Sequence, residues 1–278
     1  MSGTPSTGFE ATVRDGVFRL RRPDTRWLST GWRGGRSRGD VVYNVSVPEG
    51  FDRTDLGAYR DERLARAEFT AGGSDRPDSS KSAAPPTLFT GVSMAHVRGA
   101  RHGAVVAYAT SGLSNPAMLS MQPGEAPDGE DDTDSDRADS DPERADSDRD
   151  GPHSGRDSSG PDRTGTVNLI VGTTRRLADG AAANLVAVAS EAKATTLLAT
   201  AGVPGTTSDA VVIGDDPAGE SVTFSGSATP VGGSTRICVR DAIRASLRSR
   251  YPDGDYPGTA AEAEHGIVAD EDAEVFEP

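Results

Sequence analysis

Cysteine is almost absent: Cys238 is the only one in 278 residues. A single thiol excludes an internal disulfide and any zinc site built from several cysteines. Lysine is nearly as scarce, with Lys81 and Lys193 standing against 27 arginines. No apolar run approaches the roughly 20 residues needed to span a bilayer, and no apolar segment near the start suits a secretory signal, so a soluble, cytoplasmic chain is expected. The chain has no HExxH, CxxC, GxSxG or Walker-type loop, which argues against metal-dependent hydrolysis and nucleotide chemistry. Four histidines are present. His153 and His265 fall in polar, acidic stretches, while His96 and His102 are six residues apart across an expected turn, so no metal site is expected.

Charge is abundant but unevenly placed. The formal net charge is -14, and residues 125–150 hold thirteen acids against three arginines, while residues 251–278 hold nine acids and no lysine or arginine. Setting those two stretches aside leaves +5 for the rest, too diffuse a surplus to argue for nucleic acid. Arginine in place of lysine, acid-rich segments and few aromatics together suit a protein that works in concentrated salt. Residues 123–164 contain the repeat Arg137-Ala138-Asp139-Ser140-Asp141, which recurs seven residues later at Arg144 to Asp148. Because nothing apolar and larger than alanine lies within it, the repeat predicts a solvated, disordered acidic insert and not a coiled coil.

The remaining pattern predicts one domain, made of residues 1–122 and 165–250, followed by a mostly unstructured acidic tail over 251–278. "ATVRDGVFRLRR" alternates about Asp15-Gly16, a dipeptide that favours a two-residue hairpin turn. Strands are expected at "DVVYNVSV", "LFTGVSMAHV", "GAVVAYATSGL", "TVNLIVG", "DAVVIG" and "SVTFSGS", with a basic turn from Arg98 to His102. Helices are expected over 55–69, from an Asp179 N-cap to about Thr200 with Gly202 as its stop, and over "STRICVRDAIRASLRSR". The fold class expected is therefore mixed α/β: a mostly antiparallel or mixed sheet of about seven strands, packed by about three helices and interrupted by the insert.

Within that frame a few polar residues are set among small or apolar ones, where a polar side chain needs a reason. Asn44 and Asn168 lie on expected strands, and Asn184, Glu191 and Lys193 on the central helix. Asn184 and Glu191 are seven apart, close to two full turns, and share a face with Val188 and Thr195; Lys193 points some 160–200° away from Glu191. Glu191 and Lys193 therefore cannot both reach one substrate atom. Each has an ordinary alternative as a solvated charge. "GTTSD" at 205–209 lies between a helix stop and a strand, where backbone N–H groups and hydroxyls converge on an oxyanion or carboxamide, or simply close a turn.

Taken in order, "WLSTGWRGG" with Asn44, "TSGLSNPA" at 110–117, "GTVNLIV" at 165–171, "NLVAVASEAKATTL" at 184–197 and "GTTSD" resemble the adenosylcobinamide amidohydrolase (CbiZ) family. The insert, the tail and "PVGGSTRICVRDAI" depart most from that pattern. The resemblance implies cleavage of the amide joining a corrin side chain to aminopropanol, giving adenosylcobyric acid and 1-amino-2-propanol. The partner is then a small-molecule corrinoid, and cobalt belongs to the substrate, with no protein cofactor or metal. Such chemistry needs an activated water or hydroxyl, an oxyanion donor set and an acid for the departing amine. Glu191 is the candidate base, with Asn184 to orient the amide. Gly205, Thr206, Thr207 and Ser208 are candidate oxyanion donors, and Asp209 either orders that loop or is the alternative base. Lys193 is a candidate binding residue, and Asn44 and Asn168 suit corrin amides. A covalent route through Thr206, Thr207 or Ser208 ranks below water attack because no paired histidine is evident. Two other classes stay open: a non-catalytic corrinoid-binding or carrier protein, and an acyltransferase-like enzyme with a self-cleaving threonine.

Overall fold

A computed structural model describes residues 8–69, 84–120 and 165–277, apart from 259, 262 and 264. The acidic insert expected over 123–164 lies outside the described residues. The expected mixed α/β class is observed: the described residues form one large mixed sheet, two short two-stranded sheets and three helices. The first hairpin forms as its sequence requires: β1 (Glu10–Arg14) and β2 (Val17–Ser29) are joined by Asp15 and Gly16, with φ of 43° and 71°. Positive φ at both central positions matches the turn to the twist of the strands.

The other strands are β3 (Gly35–Ser46), β4 (Thr87–Thr90), β5 (Arg98–His102), β6 (Val105–Ser111), β7 (Ala117–Leu119), β8 (Val167–Thr173), β9 (Arg176–Leu177), β10 (Ala210–Asp215), β11 (Ser221–Val222) and β12 (Ile267–Ala269). The large sheet runs β4-β3-β2-β10-β8-β6-β5, with β1 also on β2; β10 pairs parallel with β8 and β4 with β3, and the other pairs are antiparallel. A register shift between Arg21 and Thr25 bends β2, so one edge of it serves β1 near Val17 and β10 near Ser29. Bulges increase local twist in this way.

Alternation along β8 sorts the core. Val167, Leu169 and Val171 face α2 (Asp179–Ala201) and α3 (Pro230–Arg250), where they meet Leu185, Ala189, Val239 and Ile243. Ile170 faces the other way, into a cluster with Phe18, Leu20, Trp27, Val42 and Leu88. Helix α1 (Leu56–Arg66) covers Tyr43 and Val45 through Tyr59 and Leu64.

Five expectations are corrected. "LFTGVSMAHV" is not one strand: β4 ends at Thr90, and a 3-10 turn follows at Met94–His96, begun where Ser93 Oγ accepts from the Ala95 amide. The basic turn expected at Arg98–His102 is the edge strand β5, on which Arg101 is exposed while Arg98 is half-buried and donates to the Ala95 and Val97 carbonyls. Asp179 does not cap α2; it is the first helical residue, after an Ala178 that makes no side-chain cap. Helix α3 begins four residues before Ser234, because Thr229 Oγ1 accepts from the Gly232 amide at 3.1 Å and Pro230 supplies the first turn. The acidic tail also contributes β12, which pairs parallel with β7.

Candidate active site

Helix α2 decides which polar residues meet. Its buried stripe contains Leu185, Val188, Ala189, Ala192 and Thr196, and the charged positions fall on opposite flanks of that stripe. Lys193 lies on the flank that meets the 205–209 loop, and Asn184 and Glu191 lie on the flank that meets α3. The candidate site is therefore divided into two places.

On the first flank the 205–209 loop is tied to its own Asp209. One carboxylate oxygen accepts from the Val167 amide at 2.8 Å and from the Thr206 hydroxyl; the other accepts from the Thr206 amide at 3.0 Å and from Lys193 Nζ. Lys193 and Asp209 keep only 14% and 10% side-chain exposure, so the ion pair is largely shielded. Four donors occupy the lone-pair directions of this one carboxylate, so its oxygens are already engaged within the loop. Gly205 allows this packing, since a Cβ there would lie 2.7 Å from Asp209 Oδ2 and 2.9 Å from Lys193 Nζ. An ammonium on a slim stem fits that gap, where the broad guanidinium used elsewhere in the chain would not. Ser208 and Thr166 hydroxyls meet at 2.9 Å, the Thr207 amide donates to the Asn115 carbonyl at 3.2 Å, and Asn115 Nδ2 donates to Thr207 Oγ1. Ser208 and Thr207 are exposed, whereas Thr206 is buried.

On the second flank Glu191 is 62% exposed and stands 3.4 Å from Arg236 of α3. Asn184, also exposed, donates to Ser225 Oγ at 3.2 Å; the buried Ser225 hydroxyl in turn donates to the Ala181 carbonyl at 2.6 Å. Two grooves run along this flank and share Ser227. One, of about 300 Å³, is lined by Ala192, Thr195, Gly233 and Arg236. The other, about 560 Å³ and more apolar, is lined by Asn184, Phe224 and the 223–229 loop. That loop is pinned to the first turn of α3, because a Cβ on Gly232 would lie 2.1 Å from the Gly226 carbonyl oxygen.

Asn44 and Asn168 belong to neither place. They are 3% and 2% exposed, inside the curl of the sheet. Asn168 Nδ2 donates to Asn44 Oδ1 at 3.1 Å and to the Phe89 carbonyl at 2.9 Å, and Asn44 Nδ2 donates to Thr110 Oγ1 at 3.0 Å. Their carboxamides face one another instead of a groove. Arg236 and Ser225 were not singled out by sequence, because both are long-range partners of α2 and lie outside its pattern. Asn115 lay within a recognised motif without a role of its own.

Among the described residues no three His, Cys, Asp or Glu side chains gather as they would around a metal ion. His96 and His102 direct Nδ1 to Ser249 and Ser234. Burial pushes the Cys238 thiol up to about 11, which leaves it protonated and a poor nucleophile at neutral pH. No described helix is long and apolar enough to cross a membrane.

Comparison with known proteins gives the family. Residues 5–254 match the model of the adenosylcobinamide amidohydrolase family. An adenosylcobinamide amidohydrolase of Halobacterium salinarum is 47% identical over 270 residues, covering 97% of this chain and all of the relative. A crystal structure of a Pyrococcus horikoshii OT3 protein superposes with a TM-score of 0.45 at 11% identity, over 86% of this chain and 79% of its own. Matched from residue 5 to 254 by the family model and nearly end to end by a curated member, the chain belongs to the adenosylcobinamide amidohydrolase (CbiZ) family.

Proposed function

We propose that this protein hydrolyses the amide of adenosylcobinamide to adenosylcobyric acid and 1-amino-2-propanol, in the cytoplasm and without a protein-bound metal or cofactor. Identity of 47% over 97% of the chain carries the reading, since so complete a match spans every segment that builds both flanks of α2. The corrinoid lies along the α2–α3 groove. Glu191 accepts a proton from water as its oxygen attacks the amide carbon. Arg236, beside Glu191, donates to the oxygen that gains charge, whereas Asn184, two turns away along α2, lies too far from that atom to share in this. The proton held by Glu191 then passes to the nitrogen, the C–N bond breaks, and aminopropanol leaves.

Glu191 is the better base on geometric grounds: among the described residues its ion pair with Arg236 is 3.4 Å long, whereas Asp209 has four donors. A bound macrocycle would cover Glu191 and take it out of water, which strengthens its interaction with the reacting atoms. The Lys193–Asp209 pair and the Thr206, Thr207 and Ser208 hydroxyls hold the adjoining loop in place. Protein in concentrated salt, given adenosylcobinamide, is expected to release aminopropanol and a corrinoid with one additional carboxylate. Tight corrinoid binding with no product over many hours would replace this reading with that of a carrier.

A further inference from the structure

We propose that Phe224 and Asn184 form a subsite for the adenine of the substrate's cobalt-bound adenosyl group. This rests on the reading that the α2–α3 groove holds the corrinoid. Phe224 is 75% exposed and lines the more apolar groove, of about 560 Å³, within the range of small-molecule sites. Large apolar side chains are often exposed singly. This one lies beside a carboxamide already oriented by a second hydrogen bond: Asn184 donates to Ser225, and Ser225 is anchored on the Ala181 carbonyl.

An aromatic face and a fixed carboxamide are what adenine recognition requires. The purine stacks on the ring, while the amide pairs a donor and an acceptor with the exocyclic N–H and the neighbouring ring nitrogen. One proton of Asn184 Nδ2 goes to Ser225, which leaves the other for the base. The spacing agrees: Asn184 lies seven residues from Glu191, about 10 Å along α2. The scissile amide at the corrin rim and the axial ligand above the metal are likewise separate parts of one substrate. Ser227 lines both grooves, so the two lie side by side along α2.

The test compares adenosylcobinamide with methylcobinamide, which keeps a carbon ligand on cobalt but has no base. With Phe224→Ala, KM for adenosylcobinamide is expected to rise about tenfold, as for loss of one base–aromatic stack. KM for methylcobinamide should stay where it was, and Phe224→Tyr should restore the adenosyl value. A KM that rises equally for both substrates would assign Phe224 to the corrin itself, and a KM that moves for neither would remove the subsite; either result overturns the proposal. Equilibrium dialysis of the same corrinoids separates this idea from the reaction. A protein that binds the adenosyl form more tightly through Phe224 but releases no aminopropanol would sink the hydrolase reading and keep the subsite.

Discussion

Two carboxylates in this chain have been given opposite kinds of environment. Asp209 is shielded and engaged by four donors, while Glu191 is open to solvent and, among the described residues, meets Arg236 at long range. Their substitutions should differ in kind. Glu191→Gln keeps size and hydrogen bonding but removes the base, so turnover should fall by about 10² to 10⁴ with substrate binding little changed. Its thermal midpoint should hardly move, because an exposed ion pair contributes little. Asp209→Asn places an NH₂ among donors and breaks a buried pair, at a cost of about 3 kcal/mol read from denaturant unfolding. Asp209→Asn that unfolds like the parent yet is dead, with Glu191→Gln turning over normally, would move the base to the loop. Lys193→Arg forces a wider head into the gap at Gly205 and should lower stability more than it lowers turnover.

Among the elements, α3 shapes the groove from its first turn. Thr229 caps it through the Gly232 amide, and Gly232 lets the 223–229 loop lie directly against the helix. Thr229→Ala should cost about 1 kcal/mol of unfolding free energy, the usual worth of such a cap. Gly232→Ala should be worse and also raise KM, because its Cβ would displace the Gly226 carbonyl and with it the loop that carries Phe224. A Gly232→Ala protein with the parent's KM and midpoint would show that the loop gives way without consequence. The helical pattern "STRICVRDAI" predicted α3 to begin later than it does. Its period is carried by Cys238, Val239, Ala242 and Ile243 against the sheet, while the first turn, Pro230-Val231-Gly232-Gly233, has two glycines and shows its helicity through the cap and the proline.

At the scale of the whole molecule, the sheet closes on itself through polar groups. In strand order β2 and β10 stand between β3 and β8, yet Asn168 of β8 reaches both Asn44 of β3 and the backbone of β4. Only a strongly curled sheet brings them together, and Asn44 continues the chain of bonds to Thr110 on β6. Asn168→Ala would leave the Asn44 and Phe89 acceptors buried without that donor. At about 1–3 kcal/mol for each such group, it should lower stability by several kcal/mol. Chemical denaturation in concentrated salt reads this directly; a change below about 0.5 kcal/mol would mean that water replaces the lost amide.

Local pattern alone determined the class of fold, the Asp15-Gly16 hairpin and the central helix. Each follows from a period or a turn residue that acts within a few neighbours. It also determined that Glu191 and Lys193 diverge, since the helix sets that angle whatever packs against it. Tertiary structure decided what each of them meets: Arg236 for one, Asp209 for the other, across 45 and 16 residues of sequence. It turned Asn44 and Asn168 towards each other, because curl and strand order have no counterpart in a run of valines around one asparagine. It also made a strand of Arg98–His102 and gave Ile267–Ala269 a partner in β7, since edge pairing depends on which backbone lies alongside and not on side-chain alternation.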